Sequence, residues 1–293
     1  MKRKIDLTDI LLIILMILPF LGVMALKVLF TPSGDEVEIT GALIFFTIEL
    51  PEFLPSFLRT IPITESQVNS LAVVLFILFL SLFLTRKLSV KNPSPRQHLA
   101  EFIVEKCEGL INANMTDPIF AGFGPFVGAV MGLSAFSSLL SLLGLYSPTG
   151  DINIVAGWAI LVFFMITYYK LKCGPLYYLK GFTEPIFVMT PMNIISELAT
   201  PLSMAFRHYG NIMSGSVIGV LIAYALGTVS VSLLGKIPVL GEIQLLRIGI
   251  PAVMSLYFDI FSGLLQAFIF AMLTMLNISS AFPAEDYYAR KRK

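Results

Sequence analysis

An all-α, polytopic integral membrane protein with about six membrane segments is the fold class this sequence predicts, on three observations. Of 293 residues, 56% are hydrophobic and 13% charged, with a mean hydropathy of +0.85, well outside the composition of soluble domains. Several apolar stretches reach the roughly 20 residues that a helix rising about 1.5 Å per residue needs to cross the hydrocarbon layer. Basic residues gather in alternate connections, as the positive-inside rule requires of a chain threaded repeatedly through a bilayer. A formal net charge of +1 leaves no basic face over, which excludes nucleic acid as a partner.

The first apolar run, Ile10 to Phe30, follows a basic Met1-Lys2-Arg3-Lys4 start. It reads as a signal sequence or a first membrane helix, and its length and the lack of a clear small-x-small cleavage pattern favour the helix. Residues 31 to 66 carry Asp35, Glu36, Glu38, Glu49, Glu52 and Glu65 against Arg59, with Pro51, Pro55 and Pro62 breaking any long helix. An external loop with an interfacial apolar patch is expected there. The chain thus divides into an amino-terminal extension, 1–66, and a main membrane domain, 67–293.

The run from Val68 to Leu84 ends in Arg86, Lys87, Lys91 and Arg96, which places that end in the cytoplasm. Over residues 97 to 114, His98, Glu101, Glu105 and Glu108 oppose Leu99, Phe102, Ile103 and Leu110, the pattern of an amphipathic helix lying on the membrane surface. Phe120 to Leu145 and Ala156 to Tyr169 form a hairpin of two membrane helices. Its tip, residues 147–153, has no Lys or Arg and is external, whereas Lys170, Lys172 and Lys180 return the chain to the inside. Two longer segments remain, Pro191 to Gly227 and Ile243 to Phe282, each about 55 to 60 Å if helical throughout. A bilayer core of about 30 Å forces such helices to tilt, bend or lie partly along the surface, with Pro201 and Pro251 as candidate kinks. The basic end, Arg290 to Lys293, is cytoplasmic, so six crossings satisfy every basic connection.

Arg207 stands in the middle of a membrane-compatible segment, where an arginine costs about 2.5 to 3.5 kcal/mol or more and marks a functional position. At 100° per residue, Thr200, Ser203, Arg207, Asn211 and Ser214 share one stripe, with Gly210 and Gly215 beside it. Small residues let another helix approach, and hydroxyl and amide groups bond across the interface or hold water. In the last long segment Ser255, Asp259, Ser262, Gln266 and Asn277 form a second polar stripe. Glu197 and Asp259 are the carboxylates near the middle of these segments, and both suit proton relay. The plainer reading pairs Arg207 with Glu197 or Asp259 inside the chain. His208 reads as a packed or headgroup-facing residue, although an imidazole can also carry protons. Cys107 and Cys173 both fall on the cytoplasmic side, where no disulfide is expected. With His98 and His208 as the only histidines and no HxxxH or CxxC spacing, neither a metal site nor a cofactor is expected.

The stretch Pro201-Leu202-Ser203-Met204-Ala205-Phe206-Arg207-His208-Tyr209-Gly210-Asn211-Ile212-Met213-Ser214-Gly215 resembles the signature of subunit a of F-type ATP synthases. Leu265-Gln266-Ala267-Phe268-Ile269-Phe270, followed by Leu273-Thr274, resembles that family's final helix, and the tip Pro148 to Asn153 and the Phe182 to Pro185 region also fit. The resemblance covers about residues 67 to 285. It implies a non-catalytic stator in the bacterial cell membrane, whose two long tilted helices pack against a rotating ring of c subunits. The b-type peripheral stalk, the soluble ATPase head (indirectly) and membrane lipids complete the implied partners. Arg207 matches the family's essential arginine, Asn211 and Gln266 match polar positions beside it, and Glu197 matches a carboxylate common before it. Ser216 departs from the family's usual Glu or His, which leaves the titratable role to Asp259, and His208 departs from the usual leucine. Ser203, Ser214, Ser216, Ser262 and His208 are the further candidates for lining the ion's half-channels. Two other classes remain. A stand-alone secondary transporter would bind an anion at Arg207 but would need a substrate cavity and internal symmetry, and the chain has no evident repeat. An intramembrane enzyme would need a nucleophile and base at helical spacing, and no such pair stands out.

Overall fold

The computed structural model describes residues 6–31, 41–51, 55, 59–183, 186–234 and 245–292. The acidic residues Asp35, Glu36, Glu38 and Glu52, the Glu184-Pro185 pair and the outermost residues of both basic ends lie outside them. Six helical stretches among the described residues are long and apolar enough to cross a membrane: Leu7–Phe30, Glu65–Thr85, Gly124–Leu143, Ile152–Leu171, Phe187–Leu233 and Gly249–Ala281. The fold is all-α and polytopic, as expected.

The elements are α1 (Leu7–Phe30), β1 (Ile44–Glu49), β2 (Thr60–Thr64), α2 (Glu65–Thr85), α3 (Pro95–Asn114), α4 (Gly124–Leu139), α5 (Ile152–Leu171), α6 (Pro175–Thr183), α7 (Thr190–Leu234), α8 (Leu245–Ser255), α9 (Gly263–Ala281) and α10 (Ala284–Lys291). Contacts divide the chain into two compact units, one of Met1–Arg86, Leu133–Asp151 and Gly210–Gln266, the other of Lys87–Gly132, Ile152–Tyr209 and Ala267–Lys293. Helices α4, α7 and α9 contribute a part to each.

In the first unit α1 packs on α2 around Val23, Ala72, Val73, Leu140 and Leu145. Phe76 joins Phe20 and Phe136, with ring centroids 5.4 and 5.0 Å away. Helix α2 starts where Gln67 turns back to accept the Thr64 N–H at 3.3 Å, leaving a polar first turn below an apolar run. Between α1 and α2 the sequence predicted only a loop, but β1 and β2 pair antiparallel, with Pro62 opposite Thr47. Prolines that break helices are tolerated in edge strands, and a two-stranded hairpin has no others. The β-branched and aromatic run Ile44-Phe45-Phe46-Thr47-Ile48 supplies the strand propensity.

The remainder of this unit is set by two glycines that permit close approach. A Cβ on Gly215 would stand 3.1 Å from a Phe258 ring carbon, and one on Gly263 only 2.5 Å from Ser138 Cβ. Gly263→Ala is therefore expected to destabilise the protein by about 1–3 kcal/mol, the cost of overpacking a close contact. A lowered midpoint in thermal denaturation of the detergent-solubilised protein checks this; an unchanged midpoint contradicts the packing described.

The last long segment leaves α geometry after Pro251 rather than at it. Helices α7 and α8 run through Pro201 and Pro251, and the irregular stretch is instead a π turn, Leu256–Ser262, that begins five residues after Pro251 and carries Asp259. Proline frees the carbonyl four residues before it, and the departure appears on its C-terminal side, where the i→i+5 pattern widens the turn.

The second unit is organised by an aromatic and aliphatic core that includes Ile111, Phe120, Val127, Val162, Phe270 and Phe282. Phe120 meets Tyr169 at 4.9 Å and Phe282 at 5.8 Å, and Tyr288 donates to Asp117 at 2.8 Å. Helix α3 begins at Pro95, with Ser94 accepting the Gln97 N–H at 3.3 Å. Its Leu99, Phe102 and Ile103 are exposed together with Glu101, Glu105 and Glu108. It is not among the stretches apolar enough to cross. Cys107 and Cys173 are both free thiols, and burial pushes each pKa up.

Candidate functional site

Arg207 projects from α7 as an exposed side chain, and among the described residues it forms no ion pair. The carboxylates that the plainer reading assigned to it have other partners. Glu197 takes an ion pair from Lys170 and a hydrogen bond from the Tyr178 hydroxyl at 3.4 Å. Asp259 accepts from the Ser255 hydroxyl one turn earlier. Beside Arg207, an added Cβ on the half-buried Gly210 would meet nothing within 4 Å, so there is open space at that point of the helix.

Downstream of Arg207, α7 enters a polar contact of its own. Asn211 and Ser262 bond reciprocally, the amide Nδ2 donating at 2.9 Å and the hydroxyl returning to Oδ1 at 3.1 Å. That contact borders a cavity of about 470 Å³ lined by Lys27, Tyr146, Asn211, Ser216, Ser255 and Asp259, all in the first unit. Phe258 and Asp259, neighbours in sequence, both line it. The wider π turn accounts for two adjacent side chains reaching one space.

The second unit holds a cavity of about 500 Å³, lined by Lys170, Tyr178, Asn193, Glu197, Thr200 and Asn277. Asn193 donates to the Phe182 carbonyl at 2.8 Å and fixes the start of α7. Burial first, and then the Glu197 charge, hold the Tyr178 phenol above its ordinary range, so it remains a proton donor towards that carboxylate.

The remaining predicted residues fall outside these cavities. Ser203 is exposed on the Arg207 stripe, and Ser214 is exposed with its hydroxyl bonded back to the Gly210 carbonyl. Gln266 is buried at 6% exposure. His208 is wholly buried, its ring edge-on to Trp158 at 5.9 Å and Phe270 at 5.4 Å. It lines neither cavity.

Three residues at these sites were not singled out as functional from the sequence: Lys170, Tyr178 and Lys27. Lys170 closes an apolar run, where a basic residue reads first as an orientation mark, whereas Lys27 lies inside the run Ile10 to Phe30. What could have exposed Lys170 is its position next to the interface, within snorkelling reach of a carboxylate on a neighbouring helix.

The family described as ATP synthase A chain has a model that matches residues 68–279. The chain belongs to that family. ATP synthase subunit a of Priestia megaterium is 32% identical over 230 residues, covering 74% of this chain and 92% of its own length. ATP synthase subunit a 1 of Crocosphaera subtropica is 31% identical over 223 residues, covering 75% and 87%, and ATP synthase subunit a of Bacillus subtilis is 33% identical over 215 residues, covering 69% and 85%. The resemblance read in the Arg207 and Gln266 stretches is thus borne out for the family, a multi-pass membrane subunit of the ATP synthase. Arg207, Asn211, Asp259 and Gln266 fall within the ATP synthase A chain match, whereas Lys27 and Glu65 lie before it.

Proposed function

We propose that this subunit is the stator against which a ring of c subunits turns, and that it carries the ion to and from that ring. The observation that supports this most is Arg207, a permanent cation on an uncovered face of α7 with no carboxylate of its own chain among the described residues. A charge at membrane depth needs a partner, and a ring carboxylate passing that face supplies one. The apolar window of the Phe187–Leu233 stretch is only 11% buried, the least of the six, as expected of a helix that awaits a protein neighbour.

The cavity with Asn211, Ser216 and Asp259 then serves as the external half-channel, since its wall includes the tip free of arginine and lysine in residues 147–153. The cavity with Glu197 and Thr200 serves as the cytoplasmic one, beside Lys170 and Lys180, and the carboxyl terminus lies on that same side. Ions, protons or sodium, load a ring carboxylate from one path, ride the ring and leave by the other. Residues 1–66 act as an extension joined to the main membrane domain, 67–293, and both long helices tilt along the ring. ATP is made elsewhere, by the soluble head, while a b-type stalk holds the stator still.

A cysteine at Ser203, exposed on the Arg207 stripe, tests the docking face. Oxidation of the assembled complex carrying Ser203→Cys and a cysteine on the outer helix of the ring protein is expected to yield a cross-linked pair. Cross-linking to the stalk subunit but not to the ring would reject this face.

A further inference from the structure

We propose that Lys27, from the extension that precedes the family match, and Glu65, at the start of α2, form a latch that positions the wall of the external cavity. Glu65 is 2% exposed on its side chain, yet its carboxylate stands 3.1 Å from Lys27 Nζ and accepts the Tyr146 N–H at 3.0 Å. Lys27 also donates to the Gly144 carbonyl at 2.7 Å. Asn69, one turn beyond Glu65, donates to the Tyr146 carbonyl at 2.7 Å, so the Tyr146 backbone is held from both of its polar groups. Ser66 donates to Asp151 at the far end of the same tip.

Lys27, Gly144 and Tyr146 all face the cavity that holds Asp259. The wall is only partly self-supporting: the left-handed Gly144, at φ 72°, ends one turn of 3-10 helix, a second turn forms only at Pro148–Gly150, and the backbone N–H and carbonyl of Tyr146 between them bond to α2 side chains. The first turn of α2 and one lysine of α1 supply the missing partners. Among the described residues Lys27 is the one counter-charge of the buried Glu65 carboxylate, so its removal leaves that carboxylate unpaired and makes the latch brittle. Lys27 is a positioning residue, acting on ion passage through the tip rather than by touching the ion.

This inference rests on reading the cavity as an aqueous path, and the experiment separates the two. Ser141 lines the same cavity, so Ser141→Cys, in the complex with Cys107→Ser and Cys173→Ser, reports access for N-ethylmaleimide added to one face of sealed vesicles. Labelling is expected from the external face only. Adding Lys27→Met is expected to change the labelling rate and to lower ion-driven ATP synthesis by roughly tenfold, less than the full cost of breaking a buried pair because Lys27 is 32% exposed on its side chain. Lys27→Arg should keep both, and Glu65→Gln added to Lys27→Met should recover part of the loss. If Lys27→Met prevents assembly, recovery of assembly by the added Glu65→Gln supports the latch, and no recovery overturns it. Unaltered labelling and synthesis in Lys27→Met overturn the latch alone. A Ser141→Cys that reacts from neither face in the parent complex overturns the aqueous path itself.

Discussion

Arg207→Ala is expected to abolish ion-driven ATP synthesis while the complex still assembles. The side chain is exposed and, among the described residues, takes part in no ion pair, so truncating it removes no fold-stabilising contact of this chain. What it removes is a fixed charge. A guanidinium stays protonated at any working pH, favours the ionised form of an acid opposite it and repels a cation trying to pass. Without it, an ion can cross between the two paths without turning the ring. A membrane potential supplies about 2.3 kcal/mol per charge per 100 mV, and that free energy would dissipate as a leak. The measurement is synthesis by inverted vesicles under an imposed potential, alongside blue-native electrophoresis for assembly. Retained coupled synthesis would refute the role assigned to Arg207.

That Arg207 sits on a long apolar helix was legible from the sequence, because few charges interrupt that segment. The same holds for the six helices long and apolar enough to cross and for the helical state of α3, whose acidic and apolar positions alternate with a helical period. The β1–β2 hairpin was not legible, since three prolines among acidic residues mask a short strand-forming run. The Lys170–Glu197 pair was hidden for a different reason. Each residue had a sufficient local explanation, one as an orientation mark and the other as a relay candidate, and their meeting depends on how α5 and α7 pack. The π turn escaped because a reading at 100° per residue assumes α geometry throughout. Lys27 lay in a helix read only as a span, and nothing local says that its ammonium returns to a carboxylate 38 residues away.

Asp259→Asn is expected to reduce passive ion conduction through the membrane sector roughly 100-fold, at the low end of what a positioned proton-transfer group contributes. Ser216→Ala, by contrast, should have a small effect. Both side chains line the same cavity, so a purely steric or hydration role would make the two changes comparable. Their chemistry differs. Asp259 is the one of the two that can exchange a proton, and the Ser255 hydroxyl donates to its carboxylate and orients it. Ser216, exposed on α7, offers a hydroxyl that water can replace. Asparagine keeps the volume of Asp259 and accepts the same hydrogen bond, so loss of conduction in Asp259→Asn isolates the titratable function from the packing of the π turn. Vesicles stripped of the soluble head, loaded with potassium and driven by valinomycin, report the flux by a pH-sensitive dye. Equal rates for Asp259→Asn and the unmodified protein would take Asp259 off the path, and a larger loss in Ser216→Ala would move the critical polar contact to α7.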